Sequence, residues 1–458
     1  MDLAGKTILV IGLARTGLAA ARFLLNRGSD LLIFDDKTES ELGEQVAQVR
    51  AIAACDPYRV NLCLGGTSVR TFAGLDLVVL SPGVPLSHPT VQAAAGAGVP
   101  IISEIELAYR FLKGKIVAIT GSNGKTTCTT MIGAILKMKY SKVFVSGNIG
   151  PPLIDQLEAE DESSWHAVEL SSFQLESVDQ FRADVAVMLN LTPDHIDRYG
   201  NMERYATAKE RIFRNQRATD AAILNADDPL VAAMAPRLQA RIFWFSRQRP
   251  VQEGVFAALE TIWMKARGRE QQILRISEIP LRGSHNVENV LACAAAGIAA
   301  GVAPGQIADA VRRFEPVEHR LEYVDAIDDV AFFNDSKATN VESAMKALEA
   351  FSEPLRVIMG GRDKGADFST LRRSLTPRVK ELILIGEAAS KIEKALGDLV
   401  PARRAADMEE AVRVAFQHAR PGDVVLLAPA CASFDMFRNF EERGKVFKAA
   451  VLKLKQTG

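Results

Sequence analysis

The chain has 458 residues, 48% of them hydrophobic and 24% charged, with 55 Lys+Arg against 56 Asp+Glu. So even a balance excludes an overall basic field for nucleic acid or an anionic membrane, and at roughly 150 residues per domain the length predicts about three domains. The five cysteines, Cys55, Cys63, Cys128, Cys293 and Cys431, are odd in number, scattered and without a CxxC pair. They predict reduced thiols of a cytoplasmic protein better than a disulfide framework or a zinc site.

The start, MDLAGKTILVIG, carries an acid and runs straight into a strand, unlike a secretory signal. Strand-like and helical runs then alternate, which predicts an α/β protein with mainly parallel sheets. The first unit reads KTILVIG, a helix through residues 19–25, DLLIFDD, LDLVVL (75–80) and VPIIS (99–103). The second opens at KIVAIT (115–120) and continues through KVFVSG, WHAVEL, ADVAVMLN and AAILN. The run 290–303, mostly Ala and Gly, is shorter than the ~20 residues of a membrane span and reads as a helix packed inside a domain. The third unit opens at VAFFND (330–335), with LRVIMGG, ELILIG and DVVLLAP as later strands. The expected domains are 1–104, 105–317 and 318–458, the first and last being small open sheets of Rossmann type.

TGSNGKTT (120–127) lies between the apolar strand IVAIT and a helical stretch, where a phosphate-binding loop belongs. Gly121 and Gly124 let the backbone wrap phosphate oxygens through the amides around Ser122 and Asn123, and the helix N-terminus adds its dipole. Lys125 would bridge the β- and γ-phosphates, and the Thr126 hydroxyl could reach Mg²⁺, with Thr127 behind it. The loop departs from GxxxxGK[ST], because Ile119 stands at the first glycine. The plain alternative is a glycine-rich turn with an exposed lysine.

In the helix MERYATAKERIF, Met202, Tyr205, Ala208, Ile212 and Phe213 form one face, and a turn of 100° per residue puts Lys209 inside it. A snorkelling stem with a wet ammonium is the ordinary explanation. Glu169 ends the apolar strand AVEL, where an unpaired carboxylate is costly; it is either a satisfied structural acid or a metal ligand. His195, in TPDHID, is either a loop histidine held by backbone or a second pole of that metal site. In the first unit GLARTG (12–17) follows ILVI, with Ala14 at the second glycine of GxGxxG, and Asp35 and Asp36 close the next strand near the place of a ribose-binding acid. Alone, that imperfect fingerprint suggests a nicotinamide enzyme.

The short form TGxxGK[ST]T resembles the Mur ligase and folylpolyglutamate synthetase superfamily. The resemblance continues in order through GNIG (147–150), ELSSFQLE (169–176), NLTPDHIDRYG (190–200), GSHNVEN (283–289), EHRLE (318–322), NDSKATN (334–340), GGRDKGADF (360–368) and ACASFDMFRNFEERGKVF (430–447). NDSKATN, LSSFQ and the last block look like the D-glutamate-adding member of the Mur ligase family.

That resemblance implies ATP with Mg²⁺ as the phosphoryl source. ATP would be held by residues 121–127, Asn289, Arg320 and Asp335, and Mg²⁺ by Thr126, Glu169, His195 and Lys209. Lys209 would be carboxylated by CO₂, and burial near the metal would lower its pKa and free the amine. Lys125, Glu169, His195 and Lys209 would be the catalytic set. The UDP-sugar would lie on the first domain, its pyrophosphate at the amides around Leu13, Ala14, Arg15 and Thr16, framed by Asp35, Asp36, Ser81, Gly83, Asn148 and Ser171. D-Glutamate would meet Lys337, Thr339, Lys364, Ser433, Phe434 and Phe440, while Arg362 stands where an acid is expected. Each of these basic residues could instead be solvated surface. A terminal carboxylate would be activated as an acyl phosphate and attacked by the amine of the amino acid, in a cytoplasmic, monomeric enzyme of peptidoglycan precursor synthesis. Three readings compete. A folylpolyglutamate synthetase has no use for GLARTG and SPGV, a nucleotide switch or motor has no use for NDSKATN, and a nicotinamide oxidoreductase leaves the phosphate loop unexplained.

Overall fold

The computed structural model describes residues 1–54, 59–66, 69, 72–315, 317–363, 365–375 and 378–457. They form two compact units, Met1–Ile276 with Glu288–Arg312, and Ser277–Val287 with Arg313–Gly458.

The first unit contains two sheets. One runs Val60–Leu64, Asp30–Asp35, Thr7–Ile11, Leu77–Leu80, Ile101–Ser103, all parallel. TILVI and LVVL are apolar at successive positions and bury both faces, as a parallel strand between helical layers must. The chain starts at the centre and builds outward both ways, so the strand order reverses between Thr7–Ile11 and Leu77–Leu80. Their following loops, 12–14 and 81–83, open onto one crevice.

The other sheet has nine strands: Arg269–Arg275, Thr261–Ala266, Gly254–Ala258, Arg241–Ser246, Ala221–Asn225, Val185–Met188, Lys115–Thr120, Trp165–Glu169 and Val143–Gly147. It is parallel from Val143–Gly147 as far as Gly254–Ala258, then closes with an antiparallel meander. The sequence reading stops at Asn225. Of the strands beyond it, REQQILR leaves its first four residues exposed at an edge and shows no apolar run. The small-residue segment is a helix, Ser284–Ala299, whose residues 290–296 are fully buried. Gly297 permits that packing, since a Cβ there would lie 2.7 Å from Ile135.

The second unit holds a six-stranded sheet, Glu322–Ile327, Val330–Asn334, Val424–Leu427, Leu355–Gly360, Val379–Ile385, Ala402–Arg404, antiparallel only at its first pair. The expected opening at residue 330 misses Glu322–Ile327. That strand is joined to the next by Asp328 and Asp329, both at positive φ (50° and 62°), the two-residue turn whose twist suits a hairpin. Cys63, Cys128, Cys293 and Cys431 are free thiols, and Cys55 lies outside the described residues. Among the described residues no helix is long and apolar enough to cross a membrane.

Gly254 opens the strand where the large sheet changes from parallel to antiparallel. Its φ is 140°, and a Cβ would sit 1.8 Å from the Trp244 carbonyl oxygen. Gly254→Ala must displace backbone, so we expect a loss of about 2 kcal/mol or more, measured as a lowered unfolding midpoint with unchanged far-ultraviolet circular dichroism at low temperature.

Candidate nucleotide and metal site

Strand Lys115–Thr120 is an interior strand of the nine-stranded sheet, third from the Val143–Gly147 edge, and the chain turns through 121–124 into the helix Lys125–Lys137. Gly124 is the N-cap at φ 85°, a residue with no side chain of its own to cap the helix. Side chains are excluded from the turn: a Cβ on Gly124 would lie 2.4 Å from Asn289 Oδ1, and one on Gly121 2.9 Å from Leu189 Cβ. The turn is held by the end of the neighbouring strand. Ser122 N donates to the Asn190 carbonyl (2.9 Å) and Asn123 N to Asn190 Oδ1 (2.8 Å). Thr192 N donates to Ser122 Oγ (3.0 Å), and the Tyr205 hydroxyl lies 3.2 Å from the same oxygen. The Lys125 ammonium folds back to donate to the carbonyls of Gly121 (2.9 Å) and Ser122 (2.8 Å). The result is a bowl with a helix N-terminus at its base, the electrostatics an anion requires.

Lys209 reaches the same bowl. The helix Met202–Glu210 passes into a 3₁₀ turn, Arg211–Phe213, and Tyr205, Ala208, Lys209, Ile212 and Phe213 are buried. Lys209 is 1% exposed, so its ammonium does not snorkel to water. It donates to Gly121 O (2.9 Å) and lies 3.4 Å from Thr120 Oγ1, over the Tyr205 ring at 4.8 Å. Burial, and next the charge of Lys125, push its pKa well below the ordinary lysine value, only partly opposed by Asp194 and Glu169.

Glu169 is the partner of Ile119 across the parallel ladder, which sets it beside the loop. One carboxylate oxygen accepts from Asn148 Nδ2 (2.8 Å); the other is buried with no hydrogen-bond partner. An orphaned buried carboxylate oxygen beside a phosphate bowl fits a cation. Thr126 sits in the first turn of the loop helix with Thr127 buried behind it. His195 caps the short helix Ile196–Tyr199 in left-handed conformation (φ 52°), half-exposed, its ring 4.7 Å from that of Phe173.

At the crevice of the first sheet, Asp35 Oδ2 accepts from Leu13 N (2.7 Å) and Oδ1 from Lys37 N (3.0 Å). The Leu13 amide, expected to serve a pyrophosphate, is thus taken by the acid expected to hold a ribose, and both groups set the shape of the turn. The amides of Ala14, Arg15 and Thr16 begin the helix Arg15–Asn26. Asp36 meets His88 Nε2 (3.2 Å), Ser81 Oγ donates to Gly12 O (2.8 Å), and Gly83 is exposed on the adjoining loop. Arg15 reaches the Asn148 carbonyl (3.4 Å), and Ser171 forms a capping box with Gln174.

In the second unit the chain from 317 to 321 and the segment NDSKATN lie together. Asp335 is buried near Arg320, with Leu321 N 3.4 Å from its Oδ1. Lys337 N donates to His319 O (3.1 Å), and its ammonium lies 3.6 Å from the centre of the Phe440 ring. Thr339 N donates to Lys337 O (2.8 Å). Ser433 is buried and Phe434 exposed. Lys364 lies outside the described residues, and Arg362 pairs with Glu387 while its backbone bridges to Ala432. Sequence reasoning gave no role to Asn190, Thr192 and Tyr205. Asn190 lies two residues past the apolar strand Val185–Met188, and that position was the available signal.

A glycine-stringent loop on the end of a parallel strand, with a buried lysine and an orphaned carboxylate beside it, defines a phosphate-loop protein. Family models divide the chain in the same order: "Mur ligase MurD-like, N-terminal domain" matches residues 6–103, "Mur ligase middle domain" 119–297 and "Mur ligase, glutamate ligase domain" 319–431. A protein of Acidobacterium capsulatum named UDP-N-acetylmuramoylalanine--D-glutamate ligase is 49% identical over 454 residues, 99% of this chain and 97% of its own. A Koribacter versatilis protein of the same name is 45% identical, over 99% of each. The chain belongs to the Mur ligase family. Solved structures share the fold at lower identity. A pseudomurein peptide ligase type C from Methanothermus fervidus gives a TM-score of 0.62 at 19%, covering 98% of this chain and 100% of that one. A UDP-N-acetylmuramate-alanine ligase from Thermotoga maritima gives 0.60 at 21%, covering 99% and 100%.

Burial raises the Asp335 carboxyl from 3.8 to about 7, opposed by Arg320. With its pKa raised on folding, the folded state holds a proton that the unfolded state has lost between those values. Its stability contribution is therefore present below about pH 4 and lost as pH rises through about 7. We expect Asp335→Asn to gain stability relative to the parent chain as pH rises over this range, measured by denaturant unfolding at each pH. A constant difference between the two proteins from pH 4 to 8 would contradict this.

Proposed function

We propose that this chain adds D-glutamate to UDP-N-acetylmuramoyl-L-alanine, consuming ATP and releasing ADP and phosphate, in cytoplasmic peptidoglycan precursor synthesis. The observation that carries the reading is the full-length similarity, at 45% and 49%, to two relatives bearing that name. The domain limits at 104 and 317 and the monomeric state belong to the same proposal.

A carboxylate accepts amines poorly, so the substrate's terminal carboxylate takes the γ-phosphoryl group first, and the resulting acyl phosphate gives the amine a leaving group to displace. In this reading residues 121–127 and Asn289 cradle the nucleotide, with Arg320 and Asp335 also acting towards it. Lys125 holds charge on the transferring group, where fixed donors in a dry site contribute most. Thr126, Glu169, His195 and a carboxylated Lys209 would hold Mg²⁺, which when bound neutralises phosphate charge. The fit rests on the orphaned Glu169 oxygen and on the low-pKa, water-excluded Lys209 amine. Leu13, Ala14, Arg15 and Thr16, with Asp35, Asp36, Ser81, Gly83, Asn148 and Ser171, serve the UDP-sugar. Lys337, Thr339, Lys364, Ser433, Phe434 and Phe440 receive D-glutamate.

Phosphate release measured with ATP, the UDP-sugar and a panel of amino acids, each omitted in turn, tests the activity. All three substrates should be needed, with D-glutamate preferred. Turnover with L-glutamate and a folate but not with the UDP-sugar would instead favour a folylpolyglutamate synthetase.

Carboxylation is tested at Lys209 itself. Lys209→Arg keeps charge and reach but cannot form a carbamate, so it should be as inactive as Lys209→Ala. Stripping CO₂ and bicarbonate from the parent enzyme should lower activity reversibly, and mass spectrometry under mild conditions should find the 44 Da adduct expected for added CO₂ (~44 Da). Full activity of Lys209→Arg would leave the residue as a positively charged packing group.

A further inference from the structure

Arg443 is the largest fully buried side chain of the described residues, at 0% exposure, and it has no assigned role. It projects from the helix Phe440–Thr457. Nε donates to Ser336 Oγ (3.0 Å) and Nη2 to the Ser336 carbonyl (2.8 Å), while Nη1 donates to the carbonyl of Cys431 (3.1 Å) and lies 3.4 Å from that of Ala432. Every one of those acceptors is uncharged. The carboxylate of Asp435 contributes to its field but accepts from the Glu387 amide instead (3.0 Å). Burial draws the guanidinium down to about 10, still far above neutral, so it stays charged.

A buried cation without a paired anion is costly unless backbone dipoles or a ligand offset it. Its position gives the charge a use. Ser336 immediately precedes Lys337, and Cys431 and Ala432 immediately precede Ser433. One planar fork thus ties together the two turns that carry those side chains. Ser336 Oγ also donates to the Phe440 carbonyl (2.8 Å), the residue whose ring lies under the Lys337 ammonium. The packing leaves no slack: a Cβ on Gly361 would fall 2.2 Å from the Ala432 carbonyl and 3.2 Å from Arg443 Nη1.

We propose that Arg443 is the positioning residue of the amino-acid site. It fixes the Lys337 turn against the Ser433 turn, and it lends that site positive potential that the two carboxylates of the amino-acid substrate neutralise. This rests on the function proposed above.

The test uses the full chain and steady-state kinetics with each of the three substrates varied. In Arg443→Met the KM for D-glutamate should rise about tenfold to a hundredfold, as misplacement of a binding turn does, with the KM for ATP and for the UDP-sugar within about twofold of the parent. Arg443→Lys keeps the charge but loses the fork, so its rise should be smaller. Ser336→Ala keeps Arg443 and removes one of its acceptors, and should shift the same constant in the same direction. Thermal unfolding identifies a variant that fails to fold; Arg443→Lys and Ser336→Ala then decide. An unchanged D-glutamate KM in the folded variants, an equal rise in all three KM values, or a fall in kcat alone overturns the proposal. A parent enzyme that does not use D-glutamate overturns the function itself, which separates the two failures.

Discussion

The carbonyl oxygen of Gly121 accepts from two ammonium groups at once, those of Lys125 and Lys209, each at 2.9 Å. Two cations on one neutral oxygen, one of them sealed from water, is an arrangement that only negative charge or loss of a proton relieves. Much of what surrounds the loop follows from that constraint. Gly121 must lack a side chain because Leu189 stands against it, and Leu189 is there because the strand Val185–Met188 pairs with the strand that delivers the loop. Tyr205 touches both Ser122 and Lys209, so one aromatic side chain couples the loop to the helix. Glu169 brings its unpartnered oxygen to the same strand ends.

The second unit manages buried charge by another route. Arg443 is surrounded by carbonyl dipoles, and Asp335 tends towards its neutral form. His319, nearly inaccessible, lies 2.9 Å from Asn334 Nδ2 through its Nδ1, and burial lowers its pKa. A layer of polar groups therefore lies beneath the loops that carry Lys337 and Ser433, where an apolar core would be simpler to stabilise. Such layers specify one geometry at a cost in stability.

How much of this the sequence revealed depends on how local each feature is. The phosphate loop was legible because strand, turn and helix are contiguous, and its chemistry needs glycines at fixed offsets. Lys209 was legible because helical periodicity alone places it on the buried face. The contacts of Asn190, Thr192 and Tyr205 were not, since each meets Ser122 or Asn123 from 67 to 83 residues away. The bond of Asp35 to the Leu13 amide was not legible for the same reason: a position at a strand end is local information, whereas this contact crosses between strands. The edge strands Arg269–Arg275 and Glu322–Ile327 were missed because an exposed edge has no need of an apolar run. Arg443 lies inside the motif 430–447, whose spacing gives it no role, and only the fold shows that its fork spans two turns.

The register of the large sheet also has a bearing on the protein's birth. The strand that delivers the loop pairs with Trp165–Glu169 on one side and Val185–Met188 on the other. Parallel partners cannot be supplied by a local hairpin, because each waits for an intervening crossover. While the chain emerges from the ribosome, the strand Lys115–Thr120 must stay unpaired until those later segments appear. Tyr205 and Lys209 come later again, and Asn289, whose side chain abuts Gly124, comes last. The antiparallel meander of 254–275 can zip up from adjacent sequence, whereas the nucleotide bowl is completed only when more than half of the polypeptide has been made. An early folding segment of this enzyme would thus carry the loop's sequence without its shape, and would expose apolar strand to whatever chaperones attend it.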